Sequence, residues 1–204
     1  MNPKLSVYIG KVLLLEIPEN RKAVLEPLIG YIRQKTEAEM PVRLNFICTH
    51  NSRRSHLSQI WAQVAAHYYH IPGIQCYSGG TEATELFPKI AETLSDAGFA
   101  VWELHNTQNP VYAVKFDENE VPLIGFSKKY DDAFNPVNGF AAVMTCSSAD
   151  QGCPFIPGAE RRFAVTFEDP KGSDHTARQT EIYESTSLKI ASEMFYVFSQ
   201  IHPQ

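Results

Sequence analysis

The chain has 204 residues, of which 44% are hydrophobic and 20% are charged, values typical of one globular domain with a substantial core. Its formal net charge of -5 argues against general nucleic-acid binding, which needs clustered Lys and Arg side chains. No run approaches the roughly 20 apolar residues that span a bilayer, and Gly10 and Lys11 interrupt residues 5–17. We therefore expect neither a membrane segment nor a secretory signal.

The first long periodic segment is residues 18–39, where apolar side chains recur at helical spacing. The predicted apolar face consists of Ala23, Val24, Leu28, Ile29 and Ile32. We interpret residues 1–41 as an N-terminal helical extension that packs on an α/β domain of residues 42–204.

The elements of the predicted α/β domain alternate between strands and helices. An apolar strand ends at Cys48 and a helix begins at Ser55. Further on we predict a strand at 74–78, a helix at 88–97, a hairpin insertion near 110–126, strands at 140–145 and 162–166, and a closing helix at 180–201. This alternation predicts an α/β fold, doubly wound in three layers around a mostly parallel central sheet, with ligands at the carboxyl ends of the strands.

The most informative segment is residues 48–55, which follow the first of these strands. A cysteine, five loop residues and an arginine lead directly into a helix, so the loop N–H groups should converge on the positive end of the helix dipole. This field stabilises a thiolate at Cys48, and the planar guanidinium of Arg54 can hold two oxygens of an anion. The predicted anion-binding residues are Thr49, His50, Asn51, Ser52, Arg53 and Ser55. A second pair of cations, Lys128 and Lys129, is expected to join Arg53 and Arg54 in a positive mouth.

Two further features follow later predicted strands. Asp169 is held extended by Pro170 and has the chemistry to protonate a leaving oxygen, although Asp-Pro is also a common loop dipeptide. Cys146 and Cys153 lack the close spacing of metal ligands, so we predict no metal site, and on their own they could be core cysteines. The chain has four cysteines, too few for a disulfide framework, which indicates a reducing compartment such as the cytoplasm.

Taken together, these motifs resemble the low-molecular-weight tyrosine phosphatase superfamily. They comprise residues 48–55, the Cys146 and Cys153 pair followed by Pro154, and Asp169-Pro170. Within that superfamily the chain resembles the thioredoxin-coupled arsenate reductases over roughly residues 42–202. Residues 77–83 resemble the small-residue loop beside the nucleophile.

Plain phosphatases of the superfamily differ from this chain at two positions. They typically carry a second cysteine inside the loop and tyrosines after Asp-Pro, where this chain has Arg53 and Lys171-Gly172. The resemblance therefore implies an arsenate reductase-like oxidoreductase with Cys48 as nucleophile and Asp169 as acid. It also implies that Cys146 and Cys153 pass the oxidation to an external thiol reductant such as thioredoxin, with no bound cofactor.

Two other functions stay open at this point. A phosphomonoester or phosphotyrosine hydrolase would use the same Cys48, Arg54 and Asp169, with water at the second step. A noncatalytic oxyanion-binding protein would use only the loop. A redox role requires residues 146–153 to move, because a helix there would separate the two Cα atoms by about 10.5 Å, beyond the roughly 7 Å limit of a disulfide.

Overall fold

The computed structural model of the protein describes residues 1–153 and 155–201. Pro154, which follows the predicted cysteine pair, lies outside the described residues, as do residues 202–204. In chain order the elements are α1 (Pro3–Leu13), α2 (Glu19–Glu37), β1 (Val42–Cys48), α3 (Arg54–Tyr68), β2 (Ile74–Gly80), α4 (Pro88–Ala97), β3 (Ala100–His105), β4 (Val111–Lys115), β5 (Leu123–Gly125), β6 (Phe140–Met144), α5 (Ser147–Gly152), β7 (Ala159–Ala164), a 3₁₀ helix (Pro170–Ser173) and α6 (Gln179–Ser199).

The central sheet has four parallel strands in the order β2-β1-β6-β7. Strand β1 lies inside the sheet, and alternate side chains face two separate cores. Leu44 and Phe46 face the larger core, which includes residues of α1, α2, α3 and α6, whereas Ile47 faces a smaller core beside α5. The predicted α/β fold with a parallel central sheet is therefore confirmed. None of the described helices is both long and apolar enough to cross a membrane.

The predicted hairpin is present and belongs to a second sheet. Strands β4 and β5 pair in antiparallel fashion, and β3 joins on the other side of β4. The predicted helix at 88–97 has the same bounds as α4. The predicted strand at 162–166 lies at Ala159–Ala164 instead, because this edge strand contains no buried residue and no apolar pattern that would fix its ends.

The predicted apolar face of α2 was partly wrong. Ala23 and Val24 are exposed, whereas Leu25 and Tyr31 are buried beside the predicted Leu28, Ile29 and Ile32. The buried set begins at Leu25 and follows the spacing i, i+3, i+4, i+7, which is the regular stripe of an amphipathic helix.

Helices α1 and α2 pack into the same core as the rest of the chain. Leu5, Ile9 and Val12 of α1 are buried, and the Tyr8 ring stacks on Trp61 with ring centres 5.5 Å apart. Gly98, at φ 105°, permits this packing, because a Cβ there would lie 2.4 Å from the backbone nitrogen of Leu5. The division of the chain at residue 41 stays a prediction.

Candidate functional site

The candidate site lies at the carboxyl end of β1, as the sequence predicts. Cys48 is the last residue of β1, is 4% exposed, and pairs in register with Gly80 of β2. A side chain at position 80 would clash with the loop, since its Cβ would lie 2.7 Å from Thr49 O and 2.8 Å from Asn51 N. Gly80 therefore allows β2 to contact the loop that follows Cys48.

The carbonyl groups of this loop point outward. Every carbonyl of residues 48–52 accepts a hydrogen bond from a group outside residues 49–55. In loop order the donors are Thr81 N at 3.1 Å, Glu82 N at 2.8 Å, Ser127 Oγ at 2.8 Å, His56 Nε2 at 2.9 Å and Phe87 N at 3.1 Å. Five outward bonds fix the direction of each peptide plane.

The loop N–H groups consequently face the loop interior, because the N–H and C=O of a trans peptide point in opposite directions. Within residues 1–153 and 155–201, no N–H group of residues 49–53 donates to a protein atom. Buried N–H groups without a partner are rare in proteins. Since α3 begins at Arg54, its positive end adds to this cluster of donors. The loop has the chemistry to bind a tetrahedral anion.

Asn51 holds the loop in this shape. Its backbone is left-handed, with φ 45°, a conformation that Asn tolerates better than most residues. Its Oδ1 atom accepts from the Lys128 backbone N–H at 2.9 Å, and its Nδ2 donates to Ser55 Oγ at 2.8 Å. Ser55 Oγ lies 3.1 Å from Cys48 Sγ. Because Ser55 accepts from Asn51, its own proton is available to donate to a Cys48 thiolate.

His56 packs against the loop and is 0% exposed. Its Nε2 bonds Asn51 O, and its Nδ1 lies 3.2 Å from Ser78 Oγ. Burial, with a smaller effect of the Lys128 charge, lowers the pKa of His56 to about 3. His56 is thus a neutral structural group at neutral pH.

Arg54 lies beside the loop with part of its guanidinium uncommitted. Nη1 donates to Phe167 O at 3.0 Å, and Nη2 donates to Asp169 Oδ2. The buried Nε has no hydrogen-bond partner within the described residues. Arg54 and Asp169 line a polar cleft of about 420 Å³, together with Arg21, Ser147, Ser148, Thr166, Phe167, Glu168 and Lys189. The structure therefore brings the predicted anion-binding arginine and the predicted acid together.

Two predictions about charge at the site were wrong. The Arg53 side chain, predicted beside the anion, donates instead to Asp174 and Tyr183, two acceptors from later parts of the chain. Lys128, predicted at a positive mouth, is only 2% exposed, and its ammonium lies 4.5 Å from the centre of the Phe126 ring. Burial lowers the pKa of Lys128 to about 8.

The remaining predicted loop residues take different positions. Ser52 is buried, whereas Thr49 is partly exposed. The His50 side chain is 45% exposed, and its Nε2 lies 3.7 Å from a Glu82 oxygen. The backbone groups of these residues form the loop interior. Among their side chains, that of Thr49 contacts Cys146.

The cysteine pair brackets helix α5, with Cys146 at its start and Cys153 at its end. Cys146 is 1% exposed, and its Sγ lies 3.4 Å from Thr49 Oγ1. Cys153 is partly exposed, and all four cysteines are free thiols. The fourth, Cys76, is buried in β2, where burial raises the pKa of its thiol. One predicted relay cysteine therefore contacts the nucleophile loop, and the other lies nearer the surface.

Several residues that shape the site carry no signal in the local sequence. Ser127 and Lys128 contact the loop from a connection 77 residues away. Asp174 and Tyr183 contact Arg53 across 121 and 130 residues. A strand-to-helix pattern identifies the loop, but only the folded chain shows what surrounds it.

Comparisons with known proteins agree with this geometry. The chain is 28% identical to an arsenate reductase of Staphylococcus aureus (strain Newman) over 151 residues, which cover 74% of this chain and 92% of that protein. It is also 28% identical to arsenate reductase 2 of Staphylococcus epidermidis over 128 residues, 62% of this chain and 77% of that protein. No protein-family model matches the chain.

Solved structures show the same fold. A low-molecular-weight phosphotyrosine phosphatase of Vibrio cholerae superposes with a TM-score of 0.52 at 16% identity, over 78% of this chain and 94% of that one. An arsenate reductase of Archaeoglobus fulgidus superposes with a TM-score of 0.50 at 16% identity, over 76% and 98%. The chain resembles arsenate reductases in sequence and low-molecular-weight phosphatases in fold. The resemblance identified from the motifs is confirmed, and these similarities support an enzyme with a cysteine-based mechanism.

Proposed function

We propose that this protein reduces arsenate, with Cys48 as the nucleophile and the Cys146 and Cys153 pair as an internal dithiol. The observation that carries this proposal is the contact between Thr49 Oγ1 and Cys146 Sγ at 3.4 Å. Strand β6 is the direct neighbour of β1, so a second thiol lies next to the loop that carries the first. A hydrolase has no use for a thiol at that position, whereas a reductase requires one.

The first step uses the loop, Arg54 and Asp169. Arsenate binds to the loop N–H groups and to the Arg54 guanidinium, which stabilise its charge. The Cys48 thiolate attacks arsenic and forms an S–As bond, while one As–O bond breaks. Asp169 gives its proton to the departing oxygen, which leaves as water.

The second step is a thiol exchange that reduces arsenic. The Cys146 thiolate attacks Cys48 Sγ, so an S–S bond forms and the S–As bond breaks. The electron pair of that bond stays on arsenic, which leaves as arsenite. Cys153 then attacks Cys146 Sγ and releases the Cys48 thiolate, which leaves a Cys146–Cys153 disulfide.

This last exchange requires α5 to unwind. Cys146 and Cys153 cap opposite ends of the helix, and seven residues at a rise of about 1.5 Å each place their Cα atoms about 10.5 Å apart. Arg162 holds the helix end in place by donating to Cys153 O at 3.2 Å and to Asp150 Oδ1 at 2.5 Å. Unwinding would break these bonds and carry the new disulfide toward solvent, where the more exposed Cys153 already lies.

An external dithiol is needed to complete the cycle. We propose a thioredoxin-like reductant and a reducing compartment such as the cytoplasm, because the Cys146–Cys153 disulfide must be returned to two thiols after every turnover. No bound cofactor is required, since the electrons come from the thiols.

A phosphomonoester hydrolase is the second candidate. The contact between Arg54 Nη2 and Asp169 Oδ2 supports an acid beside the proposed anion site, which suits ester cleavage as well as arsenate reduction. Water activated by Asp169 would then attack the phosphocysteine. Under this alternative Cys146 and Cys153 have no catalytic role.

The decisive experiment compares both reactions in matched variants. Arsenate reduction is coupled to thioredoxin and its reductase, and para-nitrophenyl phosphate cleavage is measured beside it. We expect Cys146→Ser and Cys153→Ser to block repeated arsenate turnover while ester cleavage persists, and Cys76→Ala to leave both unchanged. Alkylation mapping of arsenate-treated wild type should find a Cys146–Cys153 disulfide. If both serine variants turn over arsenate repeatedly, the dithiol relay fails. If the wild-type protein leaves arsenate unreduced and cleaves the ester, the hydrolase takes its place.

A further inference from the structure

Two adjacent arginines tie the end of the loop to both ends of one short segment. Arg54 pairs with Asp169, immediately before the 3₁₀ helix, and Arg53 pairs with Asp174, immediately after it. The segment of residues 169–174 carries the proposed acid. Neighbouring arginines therefore hold the acid-bearing segment at two points.

The contact at Arg53 is largely shielded from solvent and has several partners. Its Nη2 donates to Asp174 Oδ2 at 2.6 Å and its Nε to Tyr183 OH at 2.6 Å. The guanidinium carbon lies 4.1 Å from the centre of the Phe87 ring. The side chains of Arg53 and Asp174 are 11% and 12% exposed. The Tyr183 hydroxyl donates in turn to Asp174 Oδ1. A buried charge pair with hydrogen bonds on several sides is costly to open. We name these four residues, Arg53, Phe87, Asp174 and Tyr183, the Arg53 clamp.

The contact at Arg54 is different, because it must change when an anion binds. Asp169 is 41% exposed, and Arg54 Nε has no partner in the described part of the chain. Nε and Nη2 lie on the same edge of a guanidinium, the edge that binds two oxygens of an anion. Nη2 now donates to Asp169. Nη2 carries two hydrogens, so an anion bound at this edge shares Nη2 with Asp169 and weakens the contact between Asp169 and Arg54.

This exchange creates a requirement for a second attachment. The contact of Asp169 with Arg54 weakens at the moment when Asp169 must stay near the departing oxygen. Two other contacts hold the segment. Asp169 caps its own turn by accepting from Lys171 N at 3.0 Å, and the Arg53–Asp174 pair fixes the other end of the segment.

We propose that the Arg53 clamp is a positioning device, which holds residues 169–174 over the loop and keeps Asp169 at the departing oxygen when Arg54 transfers to the bound anion. This inference rests on the proposed role of Asp169 as general acid and adds the residues that place it. It also gives Arg53 a function other than direct contact with the anion.

The test of the clamp compares two phosphate esters, only one of which needs an acid to protonate its leaving group. Phenyl phosphate has a poor leaving group that needs protonation, whereas 2,4-dinitrophenyl phosphate does not. We expect Asp174→Asn and Tyr183→Phe to lower kcat/KM for phenyl phosphate by about 10- to 100-fold, and for the dinitrophenyl ester by less than about threefold. The ratio kcat/KM reports only the formation of the phosphocysteine, and in that step only the phenyl ester needs the acid. Glu181→Gln, which removes an exposed ion pair with Arg178 on α6, should change neither rate. Equal losses for the two esters would overturn the proposal.

Hydrogen exchange provides a readout that does not depend on turnover. In both clamp variants the amides of residues 169–176 should exchange faster, while those of β1 and β6 keep their wild-type protection. Saturating inorganic phosphate should enlarge the difference, because it competes with Asp169 for Arg54. Unchanged exchange in this segment overturns the clamp. If the wild-type protein turns over neither arsenate nor either ester, the proposed function fails, and the exchange data alone decide whether the clamp holds the segment.

Discussion

The hydroxyl oxygen of Ser55 lies 3.1 Å from the sulfur of Cys48, and the Asn51 amide fixes its orientation by donating to the same oxygen at 2.8 Å. A hydroxyl that already accepts one hydrogen bond turns its proton toward the sulfur. In the proposed mechanism, the loop thus supplies Cys48 with a side-chain donor in addition to the helix dipole. This arrangement makes the reactivity of Cys48 depend on a neighbour that contributes no atom to the products.

Ser55→Ala should lower the rate of the first chemical step by about 10- to 100-fold near neutral pH, because a hydrogen bond to a charged group contributes about 1.5–3 kcal/mol. The check is the rate of iodoacetamide alkylation at Cys48 together with kcat/KM. Ser58→Ala is the matched control, since Ser58 is buried one turn further along α3 and its Oγ has no partner within the described residues. Equal rates in the two variants would contradict the assigned hydrogen bond.

A glutamine side chain of α3 covers the free edge of β2, at one side of the central sheet. Gln63 of α3 accepts from Cys76 N at 3.0 Å and donates to Ile74 O at 3.2 Å, so its side-chain amide occupies the place of a neighbouring strand. Gln59, one turn earlier, donates to Cys76 O at 3.1 Å. An uncovered strand edge is a site of unwanted pairing between chains.

Gln63→Leu should lower the free energy of unfolding by about 1–3 kcal/mol, because it leaves the Cys76 N–H and Ile74 carbonyl without partners. Urea denaturation measures this loss, and light scattering measures any association through β2. Gln75→Leu changes the same residue type at an exposed position of β2, and should change stability by less than about 0.5 kcal/mol. A stable, monomeric Gln63→Leu protein would show that the edge needs no such cover.

The sequence predicts the part of the site that lies within one strand, loop and helix. Cys48 and Arg54 are six positions apart, and their spacing, with the apolar strand before them, is sufficient to place the loop. The sequence does not predict the partner of Arg53, because Asp174 lies 121 residues away and has no motif around it. Lys128 was also misplaced, since a lysine is ordinarily exposed and its burial over Phe126 depends on tertiary contacts.

Arg54→Lys tests whether Arg54 binds two oxygens of the anion, and it does so without changing the charge of the side chain. Lysine keeps the positive charge but cannot present two donors in one plane. We expect kcat/KM to fall by about 100- to 1000-fold, comparable to the loss of one oxyanion-hole donor. Arg161→Lys, at an exposed position on β7, is the control and should keep wild-type kinetics. An unchanged rate in Arg54→Lys would mean that the loop N–H groups alone stabilise the transition state.

His56 should make the stability of the protein depend on pH. The pKa of His56 is about 3 in the folded chain and is depressed mainly by burial, whereas an exposed histidine titrates near about 6.5. Between these values the unfolded chain binds one more proton at this residue, so folding stability is lost as pH falls below about 6.5. From about pH 7.5 to about pH 5 the contribution of His56 is a loss of about 2 kcal/mol in the free energy of unfolding.

The measurement is urea denaturation of His56→Gln at about pH 7.5 and about pH 5. This substitution removes the titrating group and keeps a side chain that can donate a hydrogen bond to Asn51 O. We expect the difference in unfolding free energy between the two pH values to shrink by about 2 kcal/mol in this variant relative to wild type. His105→Gln, at an exposed position on β3, should retain the full wild-type difference. An identical pH dependence in wild type and His56→Gln would mean that His56 is accessible to protons in the folded chain, contrary to its complete burial beneath the loop.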